Sequence, residues 1–257
     1  MFLKGFSHKA SQAPSGRGIM MSLLLKITHF FFPVSCVRCG KILPYDDQFR
    51  VCAGCLASLK PIEGLYCAKC GKELPDGGEH CYSCRKKQKT HFESIRAACV
   101  YEGAVKELVH KFKYGGRDYL VRIMGKMVCD VLESQSYRQE IDYVVPVPMH
   151  WLKQYLRGYN QAELLANSVS DALGKPVLKA LTRLKGTKPQ YKLKKDERRK
   201  NLAECFAVTK DAAAKLKGKT LILVDDVCTT CSTIEECSRT LRRAGASRVY
   251  AVTFAKD

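Results

Sequence analysis

Residues 220–233 read TLILVDDVCTTCST. Leu221 to Val224 form a continuous apolar run, the pattern of a strand covered on both faces in a parallel sheet. The run ends in two adjacent acids, Asp225 and Asp226, and hydroxyls follow at Thr229, Thr230, Ser232 and Thr233. Residues 232–244 have helical spacing, with Ser232 or Thr233 as the expected N-cap and Gly245 as the stop. Ligands of parallel α/β sheets bind at the carboxyl ends of strands. Loop N–H groups and a helix start favour an anion there. The two carboxylates would repel that anion, so they suit sugar hydroxyls or a Mg²⁺ brought by a diphosphate. The expected ligand therefore carries a phosphate at one end and a polyol or metal-bound diphosphate beside it.

Upstream, strands and helices alternate. Residues 95–101 and 143–147 read as strands. Val105, Leu108, Val109 and Phe112 mark one amphipathic helix; Leu120, Ile123, Met124, Met127, Val128 and Val131 mark a second, after the Gly115-Gly116 break. A third helix spans 160–173 and stops at Gly174-Lys175-Pro176. Residues 248–254 form a last strand. The fold class is α/β, a mostly parallel sheet with flanking helices.

Residues 183–200 (RLKGTKPQYKLKKDERRK) interrupt this pattern with nine basic and two acidic side chains. So polar a segment reads as a loop or solvated hairpin, and its charge density suits an anion. Charge is skewed along the whole chain: 257 residues carry 44 Lys and Arg against 25 Asp and Glu, a net +19. A nucleic acid, a phosphorylated ligand or a membrane surface would complement it. The balance of 46% hydrophobic and 27% charged residues excludes a disordered chain.

The other conspicuous feature is cysteine. Eight of the 14 cysteines lie in four C-x-x-C pairs: Cys36/Cys39, Cys52/Cys55, Cys67/Cys70 and Cys81/Cys84. CVRCGKILP at 36–44 recurs as CAKCGKELP at 67–75, a period of 31. Two such turns supply four thiolates, the set of a closed structural Zn²⁺ site. Gly40 and Gly71 follow the turns where a positive φ is expected. The repeat favours the sets 36/39/52/55 and 67/70/81/84, and an interleaved pairing is the alternative. A disulfide framework needs an oxidising compartment, and an iron–sulfur cluster fits the duplicated spacing less well. His80 and His91 are read as bystanders, because the cysteines already fill both sets.

Three segments result: an extension with a short apolar element over 1–35, a double zinc ribbon over 36–91, and the α/β domain over 92–257. Residues 85–92 are a polar linker between the last two. Leu23 to Phe32 is expected to pack on the body, with Met20 or Met21 as the start. No apolar stretch reaches the roughly 20 residues of a membrane span. Cysteine usage of this kind points to the cytoplasm.

Residues 220–233 resemble the 5-phosphoribosyl-1-diphosphate (PRPP) motif of type I phosphoribosyltransferases. The whole chain from about Leu23 resembles the ComF (competence protein F, GntX-like) family, a double zinc ribbon before a phosphoribosyltransferase-like domain. The resemblance rests on the paired cysteines and the acidic strand. It also rests on YEGAVKELVHKFKYGG at 101–116, VVPVPMH at 144–150, RGYNQAELLA at 157–166, KPQ at 188–190 and ERRKNLAECF at 197–206. It implies that Asp225 and Asp226 hold the ribose hydroxyls and that Thr229, Thr230, Cys231, Ser232 and Thr233 cradle the 5′-phosphate. Pro148 and Met149 would form the diphosphate loop, with Arg157, Asn160 and Gln161 just downstream. Lys188, Gln190, Arg198 and Asn201 would belong to a flexible loop closing over the diphosphate. The implied cofactors are two structural Zn²⁺ and Mg²⁺ with PRPP. The implied activity is phosphoribosyl transfer, linked to DNA uptake and natural transformation. Single-stranded DNA and a competence helicase or recombination mediator are the implied macromolecular partners. A non-catalytic DNA-binding or scaffold component is the alternative, and against it no aromatic stacking stripe is evident in the sequence.

One position departs from the family pattern: Cys231 stands where the phosphate loop has glycine. A side chain there strains the backbone if φ is positive, or crowds the phosphate, which predicts ligand binding with impaired turnover. Cys228 and Cys231 also make a fifth C-x-x-C at a helix start, where thiols become more acidic. The bland reading makes them two small neutral residues. Cys99, Cys129, Cys205 and Cys237 are expected to be buried apolar fillers.

Overall fold

The structure is a computed structural model that describes residues 28–86, 89–184 and 205–257. Its centre is a four-stranded, all-parallel sheet of β1 (Ile95–Val100), β2 (Tyr143–Pro146), β5 (Thr220–Cys228) and β6 (Arg248–Lys256), in the order β1-β6-β5-β2. Pro146 lies opposite Val224 and Asp225 opposite Thr253, so β5 carries its acids to the carboxyl edge of the sheet. Strands β3 (Leu181–Arg183) and β4 (Phe206–Val208) pair antiparallel outside this sheet. They bracket the basic segment. Residues 185–204, and with them Lys188, Gln190, Arg198 and Asn201, lie outside the described residues.

The two-residue period of β5 divides the core in two. Ile222 and Val224 join one apolar cluster, with α3 (Gly103–Lys113), α4 (Val121–Glu133) and α6 (Gln161–Leu173). Leu221 and Leu223 join the other, with α7 (Lys210–Leu216) and α8 (Ser232–Arg243). Each cluster continues into one half of the cysteine module. Cys36, Cys55, Leu56 and Leu59, around α1 (Ala53–Ala57), belong to the first. Cys67 and Cys70 belong to the second; α2 (Tyr82–Arg85) closes that half of the module.

The module also caps the open side of β1. Ile62 N–H donates to the Ala98 carbonyl, Val100 N–H to Lys60, and Ile95 N–H to Lys69. An edge strand covered in this way offers no free ladder to another chain. The linker is less polar than its composition implies, because Phe92 is buried in the second cluster.

Helix α5 (Trp151–Arg157) was not expected from the sequence. It is only 7 residues long and buries none of them, so it has no apolar stripe on a core. Of the apolar element expected over Leu23–Phe32, residues 23–27 lie outside the described residues, and Phe30, Phe31 and Phe32 are exposed, at 82%, 70% and 83%. The His29 ring lies 2.9 Å from the Leu43 carbonyl. Among the described residues no helix is long and apolar enough to cross a membrane.

Candidate phosphate-binding site and zinc centres

At the carboxyl end of β5 a small open cavity is lined by Asp225, Val227, Cys228, Thr229, Thr230, Cys231, Ser232, Thr233 and Ile234. The quoted strand, loop and helix start thus form one concave surface. Asp226 N–H donates to Asp225 Oδ1 at 2.8 Å, locking the two acids together. Asp226 Oδ2 lies 3.0 Å from Lys113 Nζ, at the end of α3. Burial, then the like charge of Asp226, push the Asp225 carboxyl up to about 7. Burial works against the Lys113 ammonium, but Asp226 and then Asp225 outweigh it, so its pKa is raised. Lys113 falls within the quoted segment 101–116, but no periodicity pointed it at the acids.

The loop differs from expectation at its cap. Cys231, not Ser232 or Thr233, is the N-cap of α8, with φ 61° and ψ 4°, and its side chain caps no N–H. This left-handed backbone is costly for a residue with a Cβ, about 1–3 kcal/mol. It turns the chain sharply between β5 and α8. Thr230 Oγ1 and Ser232 Oγ are 2.9 Å apart. Lys256 Nζ donates to the Thr229 carbonyl at 2.6 Å, adding a cation that the sequence reading missed.

Pro148 and Met149 lie between β2 and α5, half-buried. Arg157 donates to Gln161 Oε1 at 2.6 Å and stacks over Tyr114 at 5.0 Å. Asn160 and Gln161 are buried behind this loop. Asn160 caps α6 through Ala162 N–H and donates to the Val147 carbonyl at 3.2 Å; Gln161 donates to the Phe112 carbonyl at 3.3 Å. The Asn160 amide is spent on the backbone, and the Gln161 amide is shared between the backbone and Arg157.

The cysteines form two clusters, Cys36/Cys39/Cys52/Cys55 and Cys67/Cys70/Cys81/Cys84, which settles the pairing as sequential. All four sulfurs of a set lie within 4.8 Å of one another. Sulfurs about 2.3 Å from a tetrahedral Zn²⁺ stand ~3.8 Å apart, and Cys39–Cys52 and Cys70–Cys81 are at 3.6 and 3.7 Å. Burial raises the Cys36 and Cys67 thiols, yet backbone N–H groups around each turn bring both down to about 6. The donor set and the N–H cradle therefore fit structural Zn²⁺. His80 and His91 stand outside both clusters; His91 Nδ1 lies 2.7 Å from Glu235 Oε1, in the first turn of α8.

The second cysteine cluster packs against the loop after β5. Cys70 and Cys231 share one buried apolar cluster, and Cys231 lies 3.5 Å, sulfur to sulfur, from Cys228. Cys99, Cys205 and Cys237 are buried, while half-buried Cys129 donates to the Ser168 carbonyl at 3.4 Å.

Known proteins fit this picture. Family models of a double zinc ribbon domain and of a phosphoribosyl transferase domain match residues 27–85 and 159–257. The chain is 30% identical to competence protein F of Haemophilus influenzae over 225 residues, 85% of this chain and 95% of that one. It is 31% identical to competence protein ComFC of Bacillus subtilis, over 81% and 85%. It is 28% identical to DNA utilization protein YhgH of Escherichia coli, over 79% and 88%. Among solved structures, a purine phosphoribosyltransferase from Pyrococcus horikoshii aligns at 15% identity and TM-score 0.32, covering 53% of this chain and 82% of that one. A phosphoribosylpyrophosphate synthetase from Mycobacterium smegmatis aligns at 22% identity and TM-score 0.32, covering 51% of this chain and 33% of that one. Scores this low carry no argument; the fold rests on the sheet order and the family match.

Proposed function

The chain belongs to the competence protein F family, and from that premise we propose that its cavity binds PRPP, or a related phosphorylated sugar, with Mg²⁺ in support of DNA uptake. The observation that carries this is the cavity itself, lined by Asp225, whose carboxylate accepts from Asp226 N–H, and by a hydroxyl-rich loop at a helix start. The N–H groups and hydroxyls of Thr229, Thr230, Cys231, Ser232 and Thr233 would take the 5′-phosphate. Asp225 and Asp226 would accept from the ribose hydroxyls, with Lys113 as their counter-ion. Pro148 and Met149 would border the diphosphate, with Arg157 and, from the basic segment, Lys188 and Arg198 as its cations. Asn160 and Gln161 position that border rather than touch the ligand; Gln190 and Asn201 fall in the closing segment. Mg²⁺ would arrive on the diphosphate and neutralise its charge. Binding ranks ahead of turnover, because the Cys231 side chain occupies the phosphate loop.

Titration calorimetry with PRPP and Mg²⁺ tests the reading. Saturable heat that disappears in Asp225→Ala/Asp226→Ala supports it. No heat above that double variant refutes it.

A second reading, single-stranded DNA binding, is favoured by α5. Trp151 and Tyr155 stand one turn apart, exposed at 69% and 81%. Partial burial, then the charges of Arg183, Arg157 and Lys113, push the Lys153 ammonium down, so cations converge around this helix. Exposed rings among cations are the surface that a base-stacked strand uses. The tertiary structure thus supplies the aromatic pair that the sequence reading found absent.

A further inference from the structure

Eight cysteines are accounted for by zinc, but the thiols of Cys228 and Cys231 have no part in the site as read so far. Cys228 ends β5 and Cys231 opens α8, with two residues between them. Their sulfurs are 3.5 Å apart, and both residues are buried yet line the cavity, the side from which a small oxidant would reach them. Three further facts bear on the pair. Cys231 sits in the left-handed region, where glycine would be unstrained. Such an outlier persists only when its surroundings hold it, and here it brings a sulfur against Cys228. Finally, β5 is fixed by ladders on both sides, so the gap to a disulfide, whose S–S bond is about 2.05 Å, can close by side-chain rotation and a small shift of residues 229–231.

We propose that Cys228 and Cys231 form a reversible disulfide that locks the phosphate loop. With hydrogen peroxide as oxidant, one thiolate sulfur attacks a peroxide oxygen, the O–O bond breaks, and a sulfenic acid and water result. The second thiol displaces the sulfenic oxygen as water and the S–S bond forms. Two thiols lose two electrons and two protons, and the peroxide becomes two waters. A dithiol returns both electrons by exchange. Drawing the sulfurs together tightens the turn whose N–H groups must open around a phosphate, so the disulfide weakens phosphate binding. The effect on ligand rests on the proposed PRPP reading; the disulfide itself does not.

The experiment uses the full, zinc-loaded chain, treated with hydrogen peroxide, alkylated and mapped by mass. The expected result is a cross-link between Cys228 and Cys231, reversed by dithiothreitol, with zinc content unchanged. Hydrogen exchange across residues 229–233 slows, and PRPP affinity falls at least tenfold. Cys231→Gly removes the cross-link and makes both readouts indifferent to peroxide. A chain that stays fully alkylated overturns the proposal. So does a cross-link between Cys231 and Cys70 with loss of zinc, or a mapped cross-link that leaves PRPP affinity unchanged. If neither form binds PRPP, the ligand reading fails by itself. Slowed exchange in the loop then still supports the lock, and unchanged exchange overturns it.

Discussion

Lys113 Nζ stands 3.0 Å from Oδ2 of Asp226, so the last residue of α3 supplies the counter-charge for the acidic end of β5. Burial and the like charge of Asp226 disfavour the ionised form of Asp225, and the Lys113 cation works against both. The ion pair joins an element on one face of the sheet to the site at its carboxyl edge.

Removing that cation should therefore cost stability in a pH-dependent way. Lys113→Met should lose about 2 kcal/mol at pH 8, the scale of a partly buried charged hydrogen bond. At pH 5 the loss should shrink, because Asp225 is then protonated and less negative charge faces the missing ammonium. Urea midpoints at both pH values measure the difference.

Asp225 gives a second dependence on pH. Its pKa is about 7 folded, against an ordinary 3.8, so between these values the folded chain binds the extra proton. This contribution is fully present below about pH 4 and is lost as pH rises to 7. Asp225→Asn should flatten that part of the stability profile in thermal melts. Ligand hydroxyls need the ionised carboxylate as acceptor, so PRPP affinity should rise as pH passes 7, with proton release seen by calorimetry in two buffers.

Zinc content should be two per chain. Cys36→Ser and Cys67→Ser should each lower it to one and depress the melting temperature by several degrees, since metal-site energy is folding energy. The Cys67 variant alone should also loosen residues 228–234 by hydrogen exchange, because its site shares a cluster with that loop.

Gly40 and Gly71 are equivalent in the repeat and have φ of 76° and 70°. A Cβ at Gly40 would meet nothing within 4 Å, whereas at Gly71 it would lie 2.6 Å from the Ile95 carbonyl oxygen. Gly40→Ala should cost about 1 kcal/mol from the left-handed backbone alone. Gly71→Ala should cost at least twice that, because backbone of β1 must move. Denaturant midpoints of the two variants separate the cases.

If single-stranded DNA runs over α5, Trp151→Ala and Tyr155→Ala should each weaken an oligonucleotide complex by about 1–3 kcal/mol, the worth of one stacked base. PRPP heat should stay unchanged, because neither ring lines the cavity. Fluorescence anisotropy at two salt concentrations reads this directly. Binding indifferent to both substitutions would remove α5 from the reading.

Local pattern determined a good deal by itself. The run at 220–224 with its acids fixed a buried strand ending in a site, because a two-faced apolar run has no other stable place. The cysteine repeat fixed two four-sulfur sites, because a C-x-x-C turn aims two thiols at one point. Other features depend on what meets across the fold. No spacing could set Lys113 against Asp226, or separate Gly40 from Gly71, since in each case the partner comes from a distant element. Helix α5 escaped notice because it buries nothing and so leaves no apolar period. The left-handed Cys231 gave a composition clue, a cysteine in place of glycine, but its place in one buried cluster with Cys70 exists only once the second ribbon is packed against this loop. Sequence determined which chemical groups the protein owns; tertiary packing decided which of them meet, because desolvation and charge pairing act through space and not along the chain.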